Sequence, residues 1–204
     1  MNQTLGKILY VAGVTTFCTF LACWAVLAHQ ENTQSATRQT RAADEEFAKK
    51  AAQGSMAEVK FGQLAEEKAQ SEEVKKFGKR MVEDHTKAND NLKEAAMKDN
   101  IQLPADLDPK DEAEYEKLSK LSGAEFDKSY ARMMLKDHEH DVAEFRHESM
   151  NGRKPDIKQF AAETLPTLES HLKQARQMEQ STVRGGMGKS SRNPNPGAAQ
   201  HQHR

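Results

Sequence analysis

Four stretches of this chain, residues 44–70, 71–100, 122–150 and 155–182, repeat apolar residues every three to four positions. At 3.6 residues per turn each is roughly seven to eight turns long, longer than an isolated helix needs to bury one face against another. Ala, Glu, Lys, Leu, Gln and Met dominate these stretches and β-branched residues are scarce, which favours helix over sheet. The expected fold is all-α, a four-helix bundle. Between the second and third stretches Leu103-Pro104 breaks the chain and Asp108-Pro109 restarts it, predicting a short extra helix to about Leu121. Ser122-Gly123-Ala124-Glu125 reads as a capping box for the third long helix, and Asn151-Gly152 as its end.

Projected at about 100° per residue, each stretch presents one inward stripe. The first aligns Phe47, Ala51, Gly54, Glu58, Phe61, Ala65 and Ala69; the second Val74, Gly78, Met81, His85, Ala88 and Leu92. The third aligns Ala131, Met134, His138, Val142 and Phe145; the fourth Phe160, Thr164, Leu168, His171, Ala175 and Met178. Near its centre each stripe is interrupted by one ionisable residue: Glu58, His85, His138 and His171. A single histidine on an apolar face is most simply a hydrogen-bonded core residue. Four helices contributing one such residue each make a candidate metal site, because imidazole and carboxylate are the bundle-core ligands of Zn, Mn, Fe and Cu.

Level decides whether the four can meet. With the first turn near Ser71, Glu58 lies 13 residues before it and His85 14 after, so these two should face each other. About Gly152, His138 lies 14 before and His171 19 after, a five-residue mismatch of roughly 7 Å that needs a kink or tilt. Pro166 inside the fourth helix is expected to supply a bend around its neighbours. Asp84 and Asp137 each precede a stripe histidine and point about 100° away from it. They are expected either to orient ligands from outside the metal shell or to pair with surface lysines, at least one of them doing the latter.

Outside the helices the chain has three further parts. Residues 8–28 are 21 uncharged positions after Lys7, a leader with a small-residue cleavage site after Ala28 or an uncleaved amino-terminal hydrophobic helix anchored in the membrane. Residues 1–28 therefore read as signal peptide or anchor, 29–42 as a flexible polar spacer, 43–182 as the bundle and 183–204 as a disordered tail. The expected location is the periplasm or cell envelope of a bacterium, with the membrane a partner through residues 8–28 if they are retained. Both cysteines, Cys18 and Cys23, lie in the leader, so the body has no disulfide, no thiolate nucleophile and no cysteine-ligated metal. Beyond residue 28 the charge is 29 bases minus 31 acids, or −2, a balance that gives nucleic acid no basic surface to bind.

No Gly-rich phosphate loop, nucleophile elbow or His-Glu-x-x-His is present, so no catalytic role is assigned. The tail histidines His201 and His203 are set aside as adventitious binders. The runs 51–58, Val74-Lys75-Lys76-Phe77, Arg80-Met81-Val82-Glu83-Asp84-His85, 118–123 with Phe126-Asp127, Asp137-His138, and Thr164-Leu165-Pro166 with Leu168 and His171 closely resemble the bacterial domain-of-unknown-function family 4142 over about residues 47–175. The resemblance implies a ferritin-like bundle exported to the envelope, with no established activity. The di-iron pattern of Glu plus Glu-x-x-His is not met, since Val82 and Leu168 stand where the second Glu would be. That departure favours a non-enzymatic envelope bundle, stress-related or interacting, whose buried polar residues fix helix register. The alternative is a metal-binding or redox bundle with its site at Glu58, His85, His138 and His171.

Overall fold

The computed structural model describes the backbone of residues 12–188 and the side chains of residues 38–184. It is all-α: α1 (Ala12–Lys68), α2 (Glu72–Lys98), α3 (Pro109–Ser119), α4 (Gly123–Asn151) and α5 (Pro155–Gly188), with no strand among the described residues. The chain divides into two units, Met1–Ala43 and Asp44–Arg204, and the core described below lies in the second. Among the described residues no helix is long and apolar enough to cross a membrane. The leader expected over residues 1–28 lies outside the described side chains, as does the tail expected over 183–204 from residue 185 onward, His201 and His203 included, while α5 continues through 183–188.

The helix boundaries fall within about two residues of the sequence expectation for α2, α4 and the start of α5. Asp108 caps α3 as expected, its carboxylate accepting from the Lys110 amide at 2.8 Å with Pro109 in the first turn. Two expectations change. Residues 29–42 are helical, continuous with α1, because they contain neither Gly nor Pro and a helix propagates at one hydrogen bond per added residue. Ser122 occupies the N-cap of α4 but makes no side-chain cap bond, so the capping box is not formed.

Two apolar clusters make the core. One contains Phe61, Val74, Phe77, Met81, Phe126, Tyr130, Met134 and Met178. The other contains Phe47, Leu92, Val142, Phe145, Ile157, Phe160 and Leu168. Along α2 and α4 the chain passes from the first cluster to the second; along α1 and α5 it passes from the second to the first. The connection carrying α3 makes the return trip, from Ile101 in the second cluster to Leu118 in the first. This sets α1 and α2 antiparallel, α4 and α5 antiparallel, and α2 and α4 in the same direction.

Close approach and capping fix the register. A Cβ on Gly62 would lie 2.5 Å from the Gly78 carbonyl oxygen, and one on Gly78 would lie 2.6 Å from the Ala65 Cβ, so α1 and α2 touch backbone to backbone. Helix ends leave amides without partners, and here carboxylates from neighbouring helices take them. Asp127 of α4 accepts from the Gln70 and Ser71 amides at 3.0 and 2.9 Å. Asp99 accepts from Asp156 and Ile157 at 3.1 and 3.0 Å, and Asp44 from Arg153 and Lys154, both at 2.7 Å.

Candidate metal centre

The three histidines lie at one level, each between the two apolar clusters along its helix, while Glu58 falls at the near edge of the first cluster. Glu58 sits between Ala52 and Ala57 on one side and Phe61 on the other, His85 between Met81 and Leu92, His138 between Met134 and Val142, His171 between Leu168 and Ala175. All four are buried, at most 4% exposed. Ring centroids are 5.9 Å apart for His85 and His138, 5.4 Å for His85 and His171, and 5.3 Å for His138 and His171. The expected five-residue mismatch between His138 and His171 is therefore closed. Part of the reason is the turn: α4 ends at Asn151 and α5 begins at Pro155, so the midpoint is 153, leaving 15 residues against 18, roughly 4.5 Å.

Each imidazole is held from outside by one nitrogen. His85 Nδ1 donates to Glu58 Oε2 at 2.9 Å and lies 3.1 Å from Ser55 Oγ. His138 Nδ1 donates to the Met134 carbonyl at 2.9 Å, with Glu58 Oε1 at 3.5 Å. His171 Nε2 donates to Asp84 Oδ2 at 2.7 Å, and Asp84 in turn accepts from Arg80 Nε at 3.1 Å. Carboxylates and carbonyls only accept, so in the neutral rings these outer nitrogens carry the protons. The opposite nitrogens, His85 Nε2, His138 Nε2 and His171 Nδ1, are buried without a hydrogen-bond partner. One ligand nitrogen from each ring falls within 4.8 Å of the others. A tetrahedral ion with bonds of about 2.0–2.1 Å needs nitrogens about 3.3 Å apart, closer than this outer limit.

Electrostatics favour the form that binds cations. Burial pushes the His138 imidazolium pKa down against the opposing pull of Glu58. Burial lowers His171 to about 4, although its hydrogen bond to Asp84 works the other way. For Glu58 burial would raise the carboxyl, but His85, His138 and His171 outweigh it and bring it to about 2. Glu58 is thus an ionised carboxylate beside His85 and His138, and the three histidines are the group whose ring nitrogens lie within 4.8 Å of one another.

Asp84 orients His171, a residue of another helix rather than its sequence neighbour His85. Asp137 is half-buried and borders a cavity, with burial first and Glu58 second raising it to about 7. Pro166 lies within an unbroken α5. Ser55, Arg80 and the Met134 carbonyl were missed by the stripe analysis. Ser55 was findable, since it stands three residues before Glu58 on the same helix side.

An all-α protein with three buried imidazoles converging from three helices is the class that this fold and site define. The chain belongs to the family described as Domain of unknown function (DUF4142), whose model matches residues 29–178. Among solved structures it is similar to a crystal structure of a DUF305 fragment from Deinococcus radiodurans, with a TM-score of 0.58 and 17% identity, covering 69% of this chain and 95% of that one. At that identity the likeness is one of fold. No curated protein matches.

Proposed function

We propose that the protein binds one divalent transition-metal ion in the core of a ferritin-like four-helix bundle, through His85, His138 and His171. The observation that carries this is the pairing of roles on each ring: the outer nitrogen is anchored, and the inner nitrogen is buried and unpartnered. Anchoring the outer N–H on a carboxylate or carbonyl is how metal-bound imidazoles are oriented. A purely structural network would be expected to satisfy its buried nitrogens, which otherwise cost about 1–3 kcal/mol each. Three neutral nitrogens suit Zn, Cu or Fe, and leave a fourth position for water or a small ligand. The helix directions described above, with one long connection carrying α3, support the ferritin-like topology. The broken Glu-x-x-His pattern argues against a di-iron centre, not against a mononuclear one. Residues 1–28 support delivery to the bacterial envelope, with the bundle on the outer side of the inner membrane.

Metal analysis of protein purified without an affinity tag tests the reading. About one ion per chain, lost in His85→Ala and His138→Ala, is the expected result. Metal-free protein whose melting temperature does not move on adding Zn2+, Cu2+ or Fe2+ would overturn it and leave the register-fixing bundle as the reading.

A further inference from the structure

The three imidazoles are closed off from solvent, so an ion needs a way in. Beside them lies a cavity of about 300 Å3 bordered by Glu58 and His85. It exists because the inward stripes carry small residues there: Ala51, Gly54, Ala88 and Thr164 line it and, unlike most stripe positions, are only half-buried. A Cβ built on Gly54 would meet nothing within 4 Å, so the space is not filled by neighbouring packing. Its ionisable border is acidic, Glu58, Asp108, Asp111, Asp137, Asp141 and Glu144 against Lys50 and Lys110, with Asp111, Asp137 and Asp141 raised first by burial and then by neighbouring carboxylates. Glu58 belongs to both places. It is 4% exposed, its Oε2 holds His85, and its Oε1 has no hydrogen-bond partner.

We propose that this cavity is the loading chamber of the imidazole site, a weak carboxylate station where a hydrated divalent cation is held before it passes Glu58 to the three histidines. Oxygen ligands suit a cation that keeps part of its water, and imidazole nitrogens suit one that has shed it. Converging carboxylates between low-dielectric walls concentrate cations and raise their arrival rate. The proposal rests on the reading of the histidines as a metal site, and its test separates the two.

Apo full-length protein is mixed with Co2+ in a stopped-flow spectrometer, and formation of the imidazole-bound visible spectrum is followed. Asp137→Asn/Asp141→Asn is expected to slow uptake by about tenfold or more and to weaken its salt dependence, with the final spectrum unchanged. Gly54→Leu, which fills the chamber without altering charge, is expected to slow uptake as well. Uptake as fast as wild type in both variants overturns the proposal. No Co2+ spectrum in wild type sinks the imidazole reading instead. The chamber is then judged by Mn2+ titration of His138→Leu/His171→Leu, whose substitutions lie outside the cavity lining. Mn2+ binding abolished by adding Asp141→Asn upholds a cation station, and absence of Mn2+ binding overturns it.

Discussion

The two apolar clusters of the core and the polar layer between them are built from the same four helices by opposite rules. In the clusters, burial is its own reward: Met81, Met134, Leu92 and Leu168 are at most 2% exposed and touch only what stabilises them. In the layer, each ring keeps one nitrogen in a dry setting with no partner, although the rest of the ring is well held. A chain selected for stability alone would have continued the clusters through this level. The contrast teaches that the clusters carry the fold, while the layer costs stability that the proposed ion would offset.

The largest effect that sharpens this contrast belongs to the clusters. Leu92→Ala removes a 1%-exposed side chain from a packed site and is expected to cost about 2–5 kcal/mol in chemical denaturation. The loss should be the same with or without metal, because Leu92 lies away from the rings. A metal-dependent loss would break the separation of the two regions.

Within the layer, Asp84→Asn removes the carboxylate that holds His171 Nε2 while leaving the inner nitrogens in place. The expected result is a metal affinity weaker by about 10- to 100-fold, read by competition with a chelator. Unchanged affinity would mean that the His171 ring is held by packing alone. His138→Leu then tests the cost of the layer directly: it abolishes binding but should leave the apo protein as stable or more stable, by about 1–3 kcal/mol, since it removes a buried nitrogen without a partner. Apo protein destabilised by His138→Leu would show that the layer is a structural network after all.

Much of this was legible in the sequence, and the limits have physical causes. The four stripes and their interruptions follow from a period of 3.6, so the level of Glu58 opposite His85 could be counted from one tight turn. The same counting gave a five-residue mismatch for His138 and His171, of which a one-residue shift of the turn midpoint removes two, each residue being worth about 1.5 Å. What no periodicity contains is the hydrogen-bond direction across helices. Asp84 precedes His85 in sequence yet serves His171, and Glu58, read as a candidate ligand, pairs with His85 Nδ1. Ring tautomers depend on which acceptor lies outside each imidazole, and that is a property of the packed core. The cavity was hidden for a related reason: Ala51, Gly54, Ala88 and Thr164 read as ordinary small core positions until their neighbours are known not to fill the space.

The smallest expected effect lies at the far end of the second cluster, where Glu148 repeats the layer's situation without any metal. Its side chain is 4% exposed, and Oε1 is buried without a partner beside Gly152. Burial, reinforced by Asp44 and opposed by Lys158, raises its pKa from 4.5 to about 7. The folded protein therefore holds a proton there that the unfolded chain gives up, and the sign follows from linkage. Stability from the protonated form is fully present below pH 4.5 and is lost as pH rises through about 7. Glu148→Gln fixes a neutral side chain of nearly the same shape, so its melting temperature should match wild type near pH 4 and exceed it by a growing margin up to about pH 7, then level off. A margin that does not change with pH would show that the carboxylate finds a partner or solvent in solution. In that case an unpartnered buried atom would not by itself mark a costly site, and the same doubt would reach the three imidazole nitrogens.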